Sequence, residues 1–401
     1  MGGIETYTVR LAKHLSQHIQ VKILILSNKY NDALLKESSK YATIYFIHNY
    51  TIPALLRKNT FIKRVPFLFP IDYKKLIFDL KKTHYIHATG SEGLVISNNL
   101  MKYDEKICIS LGIYHSKEFT WSSNAYFRSI EKSLFLSIHN KNMISPNESS
   151  LPILESFYKK KFDLPIIPIG IEIPNKEKGF FNPNSNKIIS IGRLVEFKVY
   201  NEHIINIIDD INYIHNKSYE YHIYGYGPNE KKLKKLADTK NSKIIFHGVL
   251  EYSKIQDILT DCILFIGSGT AIIESSSFGI PSIIGIESNK QSETYGLFSD
   301  LVGFSYNEDN LDIKKTKYID IVNNFFKLDN DQKINISYAH IAKAKEFSID
   351  STSILFLKAL EQLDENKYYT YSTFRYKLSY LLWLIKNKLN INHEMKNRYE
   401  K

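Results

Sequence analysis

Short apolar runs alternate with amphipathic segments along most of the chain. Runs of four to six residues at 21–26, 85–88, 187–191 and 263–266 are typical of buried strands. The segments between them place apolar residues at the three- and four-residue spacing of a helix. Strands that alternate with helices favour parallel sheets covered on both faces, so the pattern predicts an α/β fold.

One stretch, residues 263–285, combines a strand, a glycine-rich turn, a helix and a second strand. The first strand ends at Gly267, and Gly269 and Thr270 lead into a helical segment that carries Glu274. Such a turn leaves backbone N–H groups at a helix N-terminus, where a phosphate is favoured by the donors and by the helix dipole. Glu274, one turn into the helix, has a carboxylate suited to ribose hydroxyls. Glycine turns of this kind also occur without a ligand, so a purely structural role stays open.

The length of the chain and one polar connection predict two domains and a tail. A chain of 401 residues is too long for one ordinary hydrophobic core. A segment rich in proline and asparagine begins at residue 174 and precedes a second series of strands and helices. The predicted domains are therefore 1–174 and 175–365, followed by a tail at 366–401. The sequence shows no signal-peptide pattern and no apolar run of about 18 residues, which predicts a cytoplasmic location.

Two basic segments account for the positive charge of the protein. The net charge is +11, and residues 51–82 and 366–401 each hold eight Lys or Arg against two acidic residues. Both segments mix these cations with large apolar residues, a combination that suits an anionic membrane surface. In the tail, the apolar residues form one helical stripe: Phe374, Leu378, Leu381, Leu382, Ile385 and Leu389.

These segments predict peripheral association with the inner face of the plasma membrane. The residues expected at the membrane surface are Arg57, Lys58, Lys63, Arg64, Arg375, Lys377, Trp383, Lys386 and Lys388. A second interpretation stays open, in which the tail packs onto the N-terminal domain and its charges form a solvated rim. Nucleic acid is not expected as a partner, because the segments are apolar as well as basic and carry no recognised binding motif.

Four motifs occur in a fixed order along residues 1–365. They are GGIE at the N-terminus, IGRLVEFK at 191–198, YGYGP at 224–228, and HGVL with IIESSSFGIP between 247 and 281. Together they resemble the retaining GT-B glycosyltransferases of family 4, the glycosyl transferases group 1. The resemblance implies two Rossmann-like domains facing a cleft. It also implies transfer of a sugar from a UDP- or GDP-linked donor, with retention, to a lipid-linked or membrane-associated glycan in bacterial capsule, O-antigen or lipopolysaccharide biosynthesis.

The resemblance also implies roles for individual residues. Arg193 and Lys198 match the basic pair that holds the donor diphosphate, and fixed cations there stabilise the leaving group without a metal. Glu274 matches the glutamate that binds the donor ribose. Gly2 and Gly3 match a loop that lets the backbone approach the donor phosphates.

Further donor contacts are expected from Gly269 and Thr270. His115 lies where the family places a histidine near the reacting sugar, although a lone histidine is often structural. The turn at 225–228 is interpreted as a structural element beside the donor cleft.

The sequence departs from the family pattern at two points. The family has a second glutamate eight residues before the equivalent of Glu274, and this chain has Ile266 there. Family members also begin with a strand that leads into the glycine loop, whereas only Met1 precedes Gly2 here. Two explanations stay open: the true start lies upstream of Met1, or the N-terminal domain lacks its first strand and has a gap in the middle of its sheet. Because a gap leaves unpaired strand edges in a core, an upstream extension is expected to restore solubility and activity.

Two alternatives to a glycosyltransferase stay open. One is a non-catalytic nucleotide-binding or scaffolding partner of an envelope polysaccharide complex, and the other is a nucleotide-sugar epimerase. No metal or other cofactor is expected. A DxD match at Asp329, Asn330 and Asp331 is better explained as the cap of the helix that follows.

Overall fold

The computed structural model describes residues 3–27, 30–52, 68–115, 118–120, 124–174, 181–251 and 254–388. These residues form two compact units; the first contains two parallel sheets, and the second contains a five-stranded parallel sheet and a two-stranded antiparallel one. The first unit comprises the described residues of Met1–Gly170 and Ile349–Lys401. The second unit comprises those of Ile171–Ser348.

The strands of the described residues are short, as the apolar runs predict. In chain order they are β1 (Val21–Ile25), β2 (Ala42–Phe46), β3 (Tyr85–Thr89), β4 (Cys108–Gly112), β5 (Met143–Ile144), β6 (Lys187–Ile191), β7 (Glu220–Tyr224), β8 (Ile244–Gly248), β9 (Leu264–Gly267), β10 (Ser282–Ile284), β11 (Glu293–Thr294) and β12 (Thr316–Lys317).

Helices separate most of these strands along the chain. In order they are α1 (Gly3–Leu15), α2 (Asp32–Ser38), α3 (Tyr73–Asp79), α4 (Gly90–Met101), α5 (Tyr126–Ser137), α6 (Ser150–Tyr158), α7 (Tyr200–His215), α8 (Glu230–Ala237), α9 (Ile255–Leu259), α10 (Thr270–Ser277), α11 (Tyr318–Lys327), α12 (Asn330–Lys345), α13 (Ile349–Glu361) and α14 (Thr373–Lys388).

The second unit is built on one five-stranded parallel sheet with the order β10-β9-β6-β7-β8. Successive side chains of a strand point to opposite faces. Accordingly, Ile188 belongs to the apolar core on one face of this sheet, and Ile189 belongs to the core on the other. Both faces are buried, which explains why these strands appear in the sequence as uninterrupted apolar runs.

The strands of the first unit form two separate parallel sheets. One pairs β1 with β2, and the other has the order β3-β4-β5. Among the described residues, no ladder joins the two sheets. The expected interruption of this sheet is therefore seen in the structure.

The division of the chain differs from the predicted domains at two places. The units separate between Gly170 and Ile171, four residues before the predicted boundary. Residues 349–365, which the sequence assigned to the second domain, lie in the first unit. The physical reason is the apolar face of α13, where Ile349 and Phe356 share a buried core with Tyr7 of α1.

The DxD match caps a helix, as the sequence predicted. Asp329 is the N-cap of α12, and its carboxylate accepts a 2.8 Å hydrogen bond from the backbone N–H of Gln332. The side chain of Gln332 accepts in return from the backbone N–H of Asp329, which completes a capping box. Among the residues that the structure describes, no group of three His, Cys, Asp or Glu is placed to hold a metal ion.

Candidate donor site in the second unit

The order of strands in the second unit reverses direction between β6 and β9. From β6 the chain adds β7 and β8 on one side, whereas β9 and β10 lie on the other side. In open α/β sheets, ligands bind beyond the carboxyl ends of the strands at such a reversal. The loop after β6 carries Arg193 and Lys198, and the turn after β9 carries Gly269 and Thr270. Four of the predicted donor residues therefore follow the two strands that flank the reversal.

The glycine turn after β7 fixes the loop after β6. The backbone N–H of Leu194 donates a 3.0 Å hydrogen bond to the carbonyl oxygen of Tyr226. A Cβ atom on Gly225 would lie 1.7 Å from the carbonyl oxygen of Gly192, and one on Gly227 would lie 2.1 Å from that of Leu194. Only glycine permits this close approach of two backbones, so the turn has the structural role that its sequence predicts.

Lys198 lies next to a carboxylate that the sequence did not single out. Its Nζ is 3.8 Å from Oε1 of Glu287, and the Lys198 side chain is largely buried. The hydroxyl of Ser268 donates a 2.9 Å hydrogen bond to the same Oε1. Arg193 is exposed, and among the described residues it has no ion-pair partner. The loop after β6 thus presents one exposed cation and one that is balanced by Glu287.

The turn after β9 is held open by a neighbouring loop. Gly269 has φ of 65°, in the left-handed region that favours glycine. Its N–H donates to Oδ1 of Asn307 at 3.0 Å, and its carbonyl oxygen accepts from the hydroxyl of Tyr306 at 3.2 Å. Apart from its own chain neighbours, no heavy atom of the described residues lies within 4 Å of the position where a Cβ would stand. The turn is therefore held by two hydrogen bonds and has open space beside Gly269.

Tyr306, whose hydroxyl contacts this turn, is influenced electrostatically by three acidic side chains. Burial raises the pKa of Tyr306, and the negative charges of Glu308, Glu287 and Glu274 raise it further. Glu274 itself is buried, one turn into α10. The structure thus gathers Glu274, Glu287 and the turn at Gly269 into one region of the second unit.

Ile266 confirms the first departure from the family pattern. It lies inside β9 and is fully buried in the apolar core on one face of the sheet. Its side chain cannot contact a ligand at the sheet edge. No carboxylate is therefore available at this position to contact the sugar hydroxyls.

Two other predicted site residues lie in the first unit, and one lies outside the described residues. Gly3 is the first residue of α1, and Gly2 lies outside the described residues. His115 follows β4 and is half-buried, and its carbonyl oxygen accepts a 2.9 Å hydrogen bond from the N–H of Glu118.

The predicted membrane-surface residues fall into three groups. Those of the first segment, Arg57, Lys58, Lys63 and Arg64, lie outside the described residues. In α14, Arg375 and Lys386 are exposed. Lys388 is the last residue of that helix.

Two residues of α14 differ from their predicted exposure. The ammonium of Lys377 donates a 2.6 Å hydrogen bond to the carbonyl oxygen of Phe69, and partial burial lowers its pKa to about 8. Trp383 is only 5% exposed. Its ring packs against the guanidinium of Arg128 at 5.1 Å, so the assignment of Trp383 to a membrane-facing surface is wrong.

Sequence reasoning missed three members of this site, for different reasons. Glu287 lies shortly after the second apolar run of the stretch 263–285. Ligands bind at the carboxyl ends of parallel strands, and this rule would have made Glu287 a candidate. Tyr306 and Asn307 lie in a loop without periodicity. No sequence signal connects that loop with Gly269.

Comparison with known proteins identifies the second unit. Residues 172–296 match the family described as "Glycosyl transferases group 1". The matched segment includes β6 to β10 and both site loops. No curated protein matches the chain in sequence.

Solved structures of glycosyltransferases share the fold over most of the chain. A glycosyltransferase from Rickettsia africae ESF-5 has 15% identity and a TM-score of 0.62, covering 90% of this chain and 95% of that one. Anabaena Alr3699/HepE in complex with UDP-glucose has 14% identity and a TM-score of 0.59, covering 90% and 97%. The lipopolysaccharide outer core galactosyltransferase WaaB has 13% identity and a TM-score of 0.57, covering 90% and 96%.

The fold and the matched domain together define the class of protein. The chain has the GT-B fold and carries a glycosyl transferases group 1 domain, and it is a glycosyltransferase.

Proposed function

We propose that the protein transfers a hexose from a nucleoside diphosphate sugar to a lipid-linked or membrane-associated glycan. The observation that carries this proposal is the pair Arg193 and Lys198 in a rigid loop at the strand reversal, beside the open turn at Gly269. A diphosphate needs two or more fixed donors and a backbone that can approach closely. This region of the second unit offers both.

The chemistry assigned to the loop is departure of the diphosphate. When the bond to the sugar breaks, negative charge develops on the leaving phosphate oxygens, and nearby cations stabilise it. Arg193 is suited to a bidentate contact because its guanidinium is exposed and unpaired among the described residues. Lys198 contributes a second charge if its ammonium moves from Glu287 to the phosphate. Retention with front-face departure is proposed from the family resemblance, and no side chain is assigned as a covalent nucleophile.

The remaining donor contacts follow from the turn and helix after β9. Glu274 is proposed to bind the ribose hydroxyls, and the N-terminus of α10 at Thr270 to favour the phosphate charge. With Ile266 buried, sugar hydroxyls are proposed to meet backbone groups at 267–270. His115 remains a proposed contact to the reacting sugar. The structural neighbour with bound UDP-glucose makes a UDP-linked hexose the first donor to test.

The acceptor is proposed to be an intermediate of capsule, O-antigen or lipopolysaccharide assembly at the inner face of the plasma membrane. The likeness to a lipopolysaccharide galactosyltransferase supports this pathway, as do the two basic and apolar segments. No helix of the described residues is long and apolar enough to cross a membrane. Access to a lipid-linked glycan would then rest on a surface contact.

The test is ligand-induced thermal stabilisation with UDP, GDP and their common sugars, followed by a transfer assay. We expect one nucleotide to raise the melting temperature by several degrees, and the shift to vanish in Lys198→Ala and Glu274→Ala. Lys232→Ala is the matched control, because Lys232 also forms an ion pair in the second unit, with Glu202 at 2.7 Å. Absence of a shift with every nucleotide would contradict the site.

Product analysis separates the proposal from its two alternatives. A glycosyltransferase releases the nucleotide only as sugar reaches an acceptor. A scaffolding protein would bind the nucleotide without turnover on any acceptor. An epimerase would convert the donor sugar with no acceptor present.

A further inference from the structure

Helix α14 carries two apolar stripes on opposite faces. The inner stripe, Tyr376, Tyr380 and Trp383, is buried in the core of the first unit. The outer stripe has the spacing of one helical face, and all of its members are exposed, from 39% at Leu381 to 75% at Phe374. We call this stripe the α14 outer face; its residues are Phe374, Leu378, Leu381, Leu382 and Ile385.

The inner stripe fixes the rotation of the helix. The hydroxyl of Tyr376 donates to Oε1 of Glu131 at 3.2 Å, and Arg128 donates to Oε2 of Glu131 at 2.8 Å. The hydroxyl of Tyr380 donates to Oε1 of Glu92 at 2.9 Å. Rolling the helix to bury its outer face would break these contacts and leave Glu131 and Arg128 buried with fewer partners, which is costly.

Side-chain hydrogen bonds also hold the segment that leads to α14. The side chain of Asn98 makes two hydrogen bonds to the backbone of Tyr369, at 2.9 and 3.0 Å. The side chain of Asn142 makes two to the backbone of Asp364, both at 2.8 Å. These contacts hold the tail on the first unit, so the second interpretation of the tail is correct for its inner face. The outer face is left exposed by the same arrangement.

The fold also brings the two basic segments of the sequence together. Lys377 of α14 donates a hydrogen bond to the carbonyl oxygen of Phe69, within the first segment. The side chain of Asn99 links the hydroxyl of Tyr73, in that segment, at 2.9 Å to the hydroxyl of Tyr371, in the tail, at 3.0 Å. Among the described residues, 68–82 hold four lysines against two aspartates, and 366–386 hold four Lys or Arg and no acidic residue. The α14 outer face therefore lies in a positively charged region of the first unit.

We propose that the α14 outer face docks on an anionic phospholipid surface. The half-exposed leucines are suited to insert among the lipid acyl chains. Arg375 and Lys386, exposed on the same helix, are suited to bind the lipid phosphates. A second copy of the chain fits less well, because a symmetric contact would bring two positive regions together. Helix α14 contains no acidic residue that could offset this repulsion.

The proposal is tested by flotation of the full chain with lipid vesicles. The probes are vesicles of phosphatidylcholine alone and of phosphatidylcholine mixed with phosphatidylglycerol. We expect the protein to float with the anionic vesicles only, and flotation to weaken as salt is raised. We expect the Leu381→Gln/Leu382→Gln variant to lose about tenfold or more in vesicle partition, because two apolar anchors are removed.

A matched control is available in the second unit. Tyr213 and Ile214 are also adjacent and exposed on a helix, and Ile214 is 51% exposed, as Leu382 is. The Tyr213→Gln/Ile214→Gln variant should float like the unchanged protein. Equal flotation of all three proteins, or no flotation of the unchanged protein with anionic vesicles, would overturn the proposal.

Two further measurements keep the outcome unambiguous. Sedimentation in the absence of lipid reports whether a dimer forms; a dimer that Leu381→Gln/Leu382→Gln abolishes would assign the face to a second copy and overturn the lipid proposal. The melting temperature of that variant without nucleotide, followed by the fluorescence of Trp383 in the first unit, should match that of the unchanged protein, which shows that it is folded. Because vesicle binding is measured without a donor, this proposal and the proposed function can fail independently.

Discussion

The ammonium of Lys198 lies 3.8 Å from the carboxylate of Glu287, which also accepts the hydroxyl hydrogen bond of Ser268. The pair joins the loop after β6 to the residues that follow β10. A diphosphate that binds Lys198 must compete with the carboxylate for the same ammonium, and it is repelled by the carboxylate charge. Glu287 is thus expected to weaken the binding of the donor diphosphate, and of other anions, to Lys198.

Substitution of Glu287 by glutamine tests this competition. The amide keeps an oxygen that can accept from Ser268 but removes the charge. We expect Glu287→Gln to bind the nucleoside diphosphate about fivefold more tightly, equivalent to about 1 kcal/mol, the usual upper size of a partly exposed ion pair. Isothermal titration calorimetry measures the change.

Glu230→Gln is the control for this experiment, because Glu230 forms an ion pair with Lys234 on α8 at 2.7 Å. Its affinity for the nucleotide should be unchanged. Weaker binding by Glu287→Gln would show instead that the carboxylate positions Lys198 for the phosphate.

Gly225 offers a test of how the loop after β6 is held. A methyl group there would meet the carbonyl oxygen of Gly192 at 1.7 Å, so the two loops must separate. We expect Gly225→Ala to lower the free energy of unfolding by more than about 3 kcal/mol and to abolish the nucleotide response. Gly248→Ala is the control: Gly248 also has positive φ, but no described heavy atom lies near its Cβ position. It should cost only about 1 kcal/mol. Equal melting temperatures for the two variants would refute the packing argument.

The sequence predicted the sheets and the α14 outer face because both depend on periodicity. Alternate residues of β6, such as Ile188 and Ile189, enter the two cores that an uninterrupted apolar run implies. Trp383 was misassigned because α14 is apolar on two faces. Which face is buried depends on contacts with Arg128 and Glu131, and these residues are distant from α14 in sequence. Residues 349–365 were misassigned for a similar reason. An amphipathic helix such as α13 carries no signal for which core it joins.

Removal of the buried Tyr200 hydroxyl is expected to increase the stability of the second unit. This hydroxyl is buried and has no hydrogen-bond partner among the described residues, a state that costs about 1 to 3 kcal/mol. We expect Tyr200→Phe to raise the free energy of unfolding by about 1 kcal/mol, measured by urea denaturation followed by circular dichroism. Tyr221→Phe is the control in the same core, because the Tyr221 hydroxyl donates to Asn201 at 2.7 Å. That variant should lose stability; a loss in both would show that the Tyr200 hydroxyl is satisfied in solution.

His87 makes the stability of the first unit depend on pH. Its ring nitrogens lie 3.0 Å from the hydroxyl of Ser110 and 2.9 Å from that of Tyr114, and the ring of Phe356 is 4.8 Å away. Burial lowers the pKa of His87 to about 4. In the unfolded chain the pKa is about 6.5, so below that pH the unfolded state binds a proton that the folded state does not. The free energy of unfolding should therefore fall by up to about 3 kcal/mol as the pH drops from about 6.5 to about 4.

Tryptophan fluorescence reports on the first unit, because Trp383 is buried there and the sequence of the second unit, 171–348, contains no tryptophan. Urea unfolding followed by this signal should show stability that is constant above the window and declines within it. His87→Gln should flatten the decline, whatever its effect on stability at neutral pH. His340 of the second unit is also buried with a lowered pKa, so unfolding followed by circular dichroism should retain some pH dependence in the variant. An unchanged fluorescence-detected slope in His87→Gln would assign the acid sensitivity of the first unit to other groups.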